Sequence, residues 1–404
     1  MSQRVVVTGI GVITSIGTGK DDFWKNLLAG KSGISPVGSF DTSVYPTHNG
    51  GEIKNFQAEE FIHKKKIPSL GRASCLAIAA SKLALKDAKL DLTEVDREKA
   101  GVILGTTMGE SQILEILNHA WVKNGEQAID PRLVPMYPAN VLSVNVGIAF
   151  KIRGVNLVIP TACAAGNYAI GYSYDLIRNG KAKVMLAGGV DAFSRIAFTG
   201  FNRLYSVAPE KCQPFDKNRK GMMVGEGAGI LILESLDSAL SRKANIYAEV
   251  SGYGLSCDAF HMTAPEANGI AMAIEKAIRD AGIKKEDVDY VSAHGTATPA
   301  NDKTECAALR KVFGDRIKDV PVSSIKSMLG HTMGAASGIE AITCCLVIRD
   351  GMIPPTINYQ TPDPECEIDC VPNISRKKKV SVVLNNSSAF GGNNACVVVK
   401  SFRA

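Results

Sequence analysis

The hydrophobic residues of this chain fall into short, almost uninterrupted apolar runs, separated by segments of helical periodicity. The runs at 155–160, 184–193 and 382–390 are rich in Val, Ile, Leu and small residues, which is typical of strands buried on both faces. Amphipathic segments and turns separate these runs. Strands and helices in alternation predict an α/β fold in which helices cover buried sheets.

The same order of elements occurs twice along the chain. An apolar run ending in paired glycines opens each half, and a helix, an acidic linker and a strand closing on Gly-Thr follow it. A strand, a cluster of small residues and another helix come next, around Cys163 in the first half and His331 in the second. Residues 5–11 match 248–254, and residues 83–107 match 277–298. The repeat predicts two similar halves, 1–243 and 244–404, whose strand-to-helix turns converge.

Composition narrows the class of protein. Of the 404 residues 45% are hydrophobic, and no Pro/Ser-rich or charge-dense linker interrupts them, so we expect one body with a large core. The opening residues are too quickly broken by glycine for a signal peptide, and no apolar run reaches membrane-spanning length. Ten cysteines without CxxC pairs or metal-ligand spacing indicate reduced thiols. We therefore expect a cytoplasmic protein without membrane insertion.

One basic run stands out from a modest net charge of +6. Lys64, Lys65 and Lys66 are consecutive, and Arg72 follows closely. The run is either a solvated surface turn or a docking surface for an acidic partner, and the sequence leaves both open. No aromatic residues interleave with it and no nucleic-acid-binding motif accompanies it, so we expect no nucleic-acid partner.

Cys163 is the candidate nucleophile. It lies in TACAAG, directly after the run 155–160 and before a helical segment. Small neighbours leave room for a substrate, and a helix N-terminus offers N–H groups and a partial positive charge that favour a thiolate. Free cysteines are also common in protein cores, so the assignment depends on partners elsewhere in the chain.

Two of the six histidines are candidate partners. His294 lies in AHGTATPAND after an apolar run, and His331 lies between Gly330 and a Gly/Ala-rich helix start. A lone histidine in such a turn is usually structural, but these two occupy turns of the repeated halves, as Cys163 does. We therefore predict that the three side chains converge. A zinc site is disfavoured, because no carboxylate or second cysteine stands at ligand spacing.

Two charged residues flank His331 in the sequence. Lys326 precedes it by five residues and Glu340 follows it by nine. They are either ordinary surface charges or a buried pair that fixes the histidine turn.

Glycines mark two further segments. Phe390, Gly391 and Gly392 form a loop whose backbone N–H groups could face Cys163, although a simple glycine turn is the plainer interpretation. The opening TGIGVITSIG is not a dinucleotide-binding fingerprint, because Thr14 stands where the third glycine is required. We expect no nucleotide cofactor.

Together these segments closely resemble the β-ketoacyl-[acyl-carrier-protein] synthases of the thiolase superfamily, especially the elongating type II enzymes of fatty acid and polyketide synthesis. The resemblance covers nearly the whole chain. Its motifs are TAC with Cys163, AHGTATPANDKTE with His294, SSIKSMLGHTMGAASG with Lys326 and His331, PFDKNRKGMMVGEGAG over 214–229, and AFGGNNA with Phe390. It implies a thiolase-like, five-layer αβαβα core and a homodimer, or a closely related heterodimer, whose partner lines the acyl pocket.

The resemblance also implies the chemistry. Cys163 would take an acyl chain from the phosphopantetheine of acyl carrier protein, with the N–H groups of Cys163 and Phe390 as oxyanion hole. His294 and His331 would then stabilise the enolate formed when malonyl-carrier protein loses carbon dioxide. Lys326 and Glu340 would order the His331 turn. No cofactor is implied beyond the phosphopantetheine that carries the substrates.

Other roles implied by the resemblance concern substrate and partner. Phe390 would gate the acyl pocket, and Met108 in GTTMGE would lie where pocket depth is set. The acidic carrier protein is the partner expected at the basic run of Lys64, Lys65, Lys66 and Arg72.

The sequence departs from the family pattern around the gate. Ser388 replaces an aromatic residue, Ala389 replaces a glycine that could adopt positive φ, and Asn393 and Asn394 replace Thr-Asn. Glu110 stands where a small residue is usual. These changes lead us to expect a specialised synthase with an altered gate or chain preference.

Two rival functions remain. A non-catalytic chain-length partner keeps the fold but lacks the cysteine, whereas Cys163, His294, His331 and Lys326 are all present here. A coenzyme A thiolase needs a second cysteine in the C-terminal glycine-rich loop, where this chain has Phe390.

Overall fold

The structure, a computed structural model, describes residues 3–403. The strands are β1 (Val5–Thr14), β2 (Gly17–Thr18), β3 (Ser35–Pro36), β4 (Asn49–Gly50), β5 (Ala100–Gly105), β6 (Asn156–Ile159), β7 (Val184–Asp191), β8 (Gly227–Ser235), β9 (Ala248–Cys257), β10 (Tyr290–Ser292), β11 (Val322–Ser323), β12 (Met352–Ile353), β13 (Arg376–Lys377), β14 (Val382–Ser388) and β15 (Asn393–Lys400). The α-helices are α1 (Lys20–Leu28), α2 (Arg72–Ala88), α3 (Ser111–Asn124), α4 (Val141–Phe150), α5 (Ala165–Arg178), α6 (Arg195–Arg203), α7 (Leu236–Ser241), α8 (Ala267–Asp280), α9 (Pro299–Phe313), α10 (Lys326–Leu329) and α11 (Ala336–Asp350).

The sheet repeats itself about its centre. Its strands run in the order β11-β10-β14-β15-β9-β1-β8-β7-β5-β6, with β2 paired only to β1. β9 and β1 join the halves, with Val5 opposite Val250. Outward from this join, antiparallel pairs give way to parallel ones in both directions. The predicted junction at 243/244 falls between α7 and β9. Because β1 of the first half pairs with β9 of the second, the two halves share one sheet.

Helices form three layers, one between the two halves of this sheet and one on the outer side of each half. α5 and α11 lie in the middle, because α5 contacts β5, β7 and β15 while α11 contacts β7, β8 and β14. α2 covers β1 and β8 on one outer side, and α8 covers β9 and β15 on the other. The arrangement confirms the predicted α/β fold with a five-layer αβαβα core.

Paired glycines set the spacing between each outer helix and its strand. A side-chain carbon at Gly11 would lie 1.9 Å from the carbonyl oxygen of Ala80 in α2, and one at Gly254 would lie 2.1 Å from that of Ala273 in α8. Neither distance leaves room for a side chain, so glycine permits the close approach of backbone to backbone. Helix packing thus accounts for the glycines of the repeated opening runs.

The cysteines are predominantly part of the interior. All ten are free thiols, and nine of them are buried, Cys257 being the exposed one. Across residues 3–403, none of the helices combines the length and apolar character needed to cross a bilayer.

Candidate active site

A single cavity of about 310 Å³ brings together four of the predicted site residues. Cys163, His294, His331 and Phe390 all line it. The predicted convergence of the repeated turns is therefore present in the structure. Other lining residues come from α6 and the turn after it, from the loop at 261–265 and from the start of α9.

Cys163 lies in a sharp turn between β6 and α5. The 3₁₀ turn Ala162–Ala164 links the two elements, and Ala162 adopts a φ of 49°. Positive φ is uncommon for alanine, and such strain is typical of functional sites. The turn buries the Cys163 side chain, which is 8% exposed, at the base of the cavity.

The thiol of Cys163 is protonated at neutral pH. Burial raises its pKa to about 12, and the charge of Lys326 opposes that shift. Burial thus acts against the helix N-terminus, whose partial charge we expect to favour the thiolate. Deprotonation must accompany attack on a substrate.

Backbone contacts fix the orientation and tautomer of His331. Its N–H donates to the carbonyl oxygen of Met223 at 2.6 Å, and its carbonyl accepts from Gly225 at 2.9 Å. The N–H of Met333 donates to Nδ1 of His331 at 3.1 Å. An accepting Nδ1 carries no proton, so the proton of the neutral ring is on Nε2. His331 therefore presents a hydrogen-bond donor.

A buried carboxylate holds the turn of His294. Glu305 of α9 accepts the backbone N–H groups of His294 and Gly295, each at 2.8 Å, and the side-chain amide of Asn386 at 2.7 Å. The rings of His294 and His331 lie 5.5 Å apart between centroids, at an interplanar angle of 81°. Both imidazoles can therefore address one small group.

Lys326 and Glu340 form a buried ion pair beneath the histidines. The Lys326 ammonium contacts the Glu340 carboxylate and also donates to the carbonyl oxygen of His294 at 2.7 Å. Their side chains are 2% and 1% exposed. The buried-pair interpretation of the sequence is the one that the geometry supports, and the pair ties the His294 turn to α10 and α11.

Burial and the nearby ammonium together keep both imidazoles neutral. Burial lowers the pKa of His294 and of His331 well below the usual range, and the charge of Lys326 lowers both further. His331 adds a smaller lowering of the pKa of His294. Neutral rings suit hydrogen-bond donation to a developing negative charge.

The gate residue Phe390 lies in a turn between β14 and β15. Its ring is 38% exposed and lies 5.7 Å from the ring of Phe201. The N–H of Gly391 donates to Met262 at 2.7 Å, and the carbonyl of Gly392 accepts from Asp258 at 2.9 Å. Gly391 and Gly392 have φ of 82° and 77°, which glycine adopts without strain.

The family departures have local explanations. Ala389 has φ −138° and ψ 156°, ordinary extended backbone, and its effect on the gate stays a prediction. Asn394 donates to Asp258 at 2.6 Å and steadies the loop facing the gate. Glu110 accepts the N–H groups of Ala73 and Ser74 at 3.3 and 2.6 Å, which caps the start of α2.

Met108 is not among the residues that line the cavity. Its backbone N–H donates to Asp191 at 2.9 Å, and the second oxygen of Asp191 accepts from Gly334 at 2.6 Å. Asp191 thus joins the Met108 loop to the His331 turn, and burial raises its pKa to about 6. The role of Met108 in pocket depth stays a prediction.

The basic run contains three exposed lysines and one arginine that already has an ion-pair partner. Lys64, Lys65 and Lys66 are exposed on the 3₁₀ turn Lys64–Ser69. Arg72 instead forms a bidentate pair with the buried Glu226, at 2.7 and 2.8 Å. Its side chain remains 30% exposed, and its role in docking stays a prediction.

Asp191 and Glu305 are supporting residues that sequence reasoning missed. Each is a carboxylate with 0% exposure that accepts backbone N–H groups from the site turns. Asp191 ends the apolar strand β7, and a lone acid there was the available signal. Glu305 lies in the motif quoted for His294, but nothing in the sequence reveals its contacts.

The site offers hydrogen-bond donors and a thiol for chemistry. Within residues 3–403, three or more His, Cys, Asp or Glu side chains do not gather anywhere in a group that could hold a metal ion.

Known proteins resemble this chain over its full length. The family model of the β-ketoacyl synthase N-terminal domain matches residues 2–239, and that of the C-terminal domain matches 247–360. A 3-oxoacyl-[acyl-carrier-protein] synthase 2 of Synechocystis is 42% identical, over 99% of both chains. One of Staphylococcus aureus is 41% identical, over 100% of this chain and 99% of the relative.

Solved structures give the same result. The ishigamide ketosynthase/chain length factor matches with a TM-score of 0.97 and 46% identity, over 100% of both chains. A type II polyketide synthase ketosynthase, solved in complex with its acyl-carrier protein and bound to the hexaketide, matches with a TM-score of 0.93 and 32% identity, again over 100% of both chains. With the geometry of the cavity, these matches establish that the chain belongs to the β-ketoacyl synthase family.

Proposed function

We propose that this chain elongates acyl chains by decarboxylative condensation of malonyl-[acyl-carrier protein] with an acyl group held on Cys163. The observation that carries the proposal is the cavity in which the Cys163 thiol meets two neutral imidazoles. Its product would be β-ketoacyl-[acyl-carrier protein] and carbon dioxide. Relatives named for fatty acid synthesis and for polyketide synthesis both match, so the substrate chain is proposed only as an acyl group.

The first step transfers the acyl group. The sulfur of Cys163 attacks the thioester carbonyl, a new S–C bond forms, and the carrier thiol leaves with the proton that Cys163 gives up. The N–H groups of Cys163 and Phe390 are proposed as donors to the tetrahedral oxyanion. Because the free thiol has a raised pKa, proton transfer is concerted with the attack.

The second step forms the carbon–carbon bond. As the malonyl thioester loses carbon dioxide, its electron pair moves into an enolate whose oxygen accepts from Nε2–H of His331 and from His294. The enolate carbon then attacks the acyl carbonyl on Cys163, and the S–C bond breaks. The Cys163 thiolate released in this way takes a proton from water. Negative charge develops on the thioester oxygen only as carbon dioxide leaves, so donors fixed in advance lower the barrier.

We propose acyl carrier protein as the macromolecular partner. One structural neighbour is a ketosynthase in complex with its acyl-carrier protein. In this chain Lys64, Lys65 and Lys66 form an exposed basic turn that suits an acidic partner. Replacing all three by Glu should raise the Michaelis constant for acyl-carrier protein tenfold or more and spare small thioesters. An equal loss with both donors would indicate damaged folding.

We also propose a dimer formed along β6. Among residues 3–403, eleven of the twenty-one exposed large hydrophobic side chains fall within residues 114–172, in or between α3, α4, β6 and α5. An apolar surface of this density is typical of a protein interface. A second copy of the chain is the simplest partner, and a related chain is the alternative. A cytoplasmic location stays a prediction.

Intact-protein mass spectrometry tests the proposed reaction directly. The protein is incubated with a panel of acyl-carrier proteins, beside Cys163→Ala, and malonyl-carrier protein is then added. We expect an acyl adduct on the native chain alone, discharged as a product two carbons longer. No adduct with any chain length would refute the proposal and favour a non-catalytic partner subunit.

A further inference from the structure

Asp191 is a buried carboxylate that joins the loop after β5 to the turn before α11. One of its oxygens accepts the hydroxyl of Thr106 at 2.6 Å and the N–H of Met108 at 2.9 Å. The other accepts the N–H groups of Thr107 at 2.7 Å and Gly334 at 2.6 Å. The residue is 0% exposed, so these four bonds take the place of water around its charge.

Other buried acids of the chain are satisfied differently. The side chains of Glu226, Glu234 and Glu340 are 0%, 0% and 1% exposed, and each forms an ion pair with an arginine or a lysine. Asp191 instead accepts three backbone N–H groups and one hydroxyl. Although burial raises its pKa to about 6, the carboxyl group is ionised at neutral pH. Hydrogen bonds to an ionised acceptor are the stronger kind, so this side chain restrains the backbone that it binds.

The turn that Asp191 binds is strained. The 3₁₀ turn Met333–Ala335 begins with a φ of 53° at Met333, in the left-handed region that a side chain makes unfavourable. At Gly334, a side-chain carbon would lie 2.5 Å from Cα of Thr106, so the turn also packs tightly against the loop after β5. Backbone strain of this kind persists only where the surroundings hold it. The bond from Gly334 to Asp191 is one such restraint.

The same turn orients the imidazole of His331. The N–H of Met333 donates to Nδ1 of His331 at 3.1 Å, which leaves the ring proton on Nε2. Asp191 accepts the next N–H along the chain, that of Gly334. The imidazole thus binds the peptide before Met333, and the carboxylate binds the peptide after it. Without the bond from Gly334, φ of Met333 would relax, and its N–H would turn away from Nδ1.

We propose that Asp191 is a positioning residue for the condensation, which holds the Met333 N–H on Nδ1 of His331 and so keeps Nε2–H directed at the substrate. The inference rests on the proposed function, in which Nε2–H donates to the enolate oxygen. Asp191 acts through the backbone of the turn, because it is not among the residues that line the cavity. Loss of a donor that acts in the transition state lowers kcat and leaves the Michaelis constant unchanged.

Nitrogen NMR of protein labelled at histidine tests the orientation of His331 independently of activity. In the wild type, the Nδ1 resonance of His331, identified by its absence from His331→Ala, should be that of a nitrogen that accepts a hydrogen bond. Asp191→Ala should move this resonance towards that of a free, unprotonated ring nitrogen. A general loss of stability would not produce that shift in the folded protein.

Kinetics of the same variant test the consequence for the reaction. Asp191→Ala should lower kcat for decarboxylation of malonyl-carrier protein by about tenfold or more, and change its Michaelis constant by less than twofold. Formation of the acyl adduct should slow by less than threefold. The charge of Asp191 raises the pKa of the Cys163 thiol, so its removal does not hinder attack by the sulfur.

Glu110→Ala is the matched control. Glu110 is also a buried carboxylate that accepts backbone N–H groups, in its case those of Ala73 and Ser74 at the start of α2. Its loss should lower the free energy of unfolding, yet leave the Nδ1 resonance of His331 and the decarboxylation rate unchanged. Equal changes in both variants, or an unmoved resonance in Asp191→Ala, would overturn the role of Asp191.

The outcomes separate this inference from the proposed function. A wild-type chain that forms no acyl adduct and releases no carbon dioxide would refute the proposed function, whereas the resonance of His331 would still report whether Asp191 holds the ring. If Asp191→Ala fails to fold, Asp191→Asn, which keeps one acceptor oxygen but no charge, replaces it and should give a smaller shift in the same direction. A resonance and a rate that both match the wild type would then overturn the inference.

Discussion

The Cys163 turn and the His331 turn are the same structural device with different chemistry. Each lies between the outermost strand of one half and a central helix. The 3₁₀ turn Ala162–Ala164 leads from β6 into α5, whereas α10 and the 3₁₀ turn Met333–Ala335 lead from β11 into α11. The helices cross where a side-chain carbon at Gly166 would lie 2.6 Å from the backbone of Gly338. Duplication therefore brings two equivalent turns to one place.

The two turns differ in what supports them. Small residues surround Cys163, whereas the His294 turn of the second half is tied to the buried pair of Lys326 and Glu340. The charge of Lys326 acts across the join, because it lowers the pKa of both histidines and opposes the raised pKa of Cys163. The first half thus supplies the nucleophile, and a charge from the second half acts on the pKa values of all three reacting side chains.

The outer edges of the two halves also differ. β11 is fully buried, and its Val322 N–H donates to Asp369 of the chain's own C-terminal segment at 2.8 Å. The equivalent β6 is partly exposed: its Leu157 is 40% exposed, and Val155, just before the strand, is 42% exposed. Residues 299–350 contribute none of the exposed large hydrophobic side chains, whereas 114–172 contribute eleven. The uncovered edge is therefore the one along which we propose the dimer.

Replacing the reacting side chain of one turn or of the other should give the largest effects on activity. Cys163→Ala should abolish the acyl adduct but keep decarboxylation of malonyl-carrier protein, since both imidazoles remain. His331→Ala should still form the adduct and lose about 10²–10³-fold in decarboxylation, the usual cost of one oxyanion donor. Adduct mass and carbon dioxide release measure the two activities. Equal loss of both activities in both variants would contradict the division of labour.

Replacing Lys326 tests whether the buried ion pair stabilises the second half of the site. Lys326→Met leaves the Glu340 carboxylate buried without its partner, so the free energy of unfolding should fall by about 3–5 kcal/mol. The double variant Lys326→Met/Glu340→Leu should recover most of that loss, because an apolar pair needs no charge compensation. Urea denaturation followed by circular dichroism measures each value. A single variant as stable as the wild type would mean that the pair is not a source of support.

Placing a charge on the uncovered edge should break the proposed dimer. Leu157→Lys puts an ammonium where an apolar contact is expected, and should weaken self-association by about ten- to a hundredfold. Val44→Lys is the matched control, since Val44 is 81% exposed and lies outside the 114–172 segment. Sedimentation across a range of concentrations reports both. A wild-type chain that stays monomeric would instead point to a different chain as the partner.

The sequence predicted the reacting groups better than their supports. Cys163, His294 and His331 stand in short motifs at strand ends, and the repeat indicated that they converge. Asp191 and Glu305 were missed because their partners are backbone N–H groups, which leave no signature in side-chain identity. Such contacts can be read only after the chain has folded.

Distant contacts add to two local patterns. Arg72 belongs to a basic run in the sequence, but its guanidinium pairs with Glu226, 154 residues away. Cys163 lies at a helix start, which favours a thiolate, whereas burial among several segments raises its pKa. Local patterns identify residues, and long-range packing decides their charge state.

The smallest expected effect is the pH dependence of the histidine step. Burial and Lys326 lower the pKa of His294 and His331 well below the ordinary value of about 6.5, so both rings stay neutral as pH falls from 8 to 6. Single-turnover decarboxylation should therefore change less than twofold across that range. Lys326→Met removes the cation, raises both pKa values, and should make the rate fall towards pH 6. Both imidazoles protonate near pH 6.5 in the unfolded chain but stay neutral in the folded one. The free energy of unfolding should therefore also fall as pH drops below that value. A wild-type rate that fell tenfold with a midpoint near 6.5 would mean that the imidazoles titrate normally, and that the ammonium of one half does not set the electrostatics of the shared cavity.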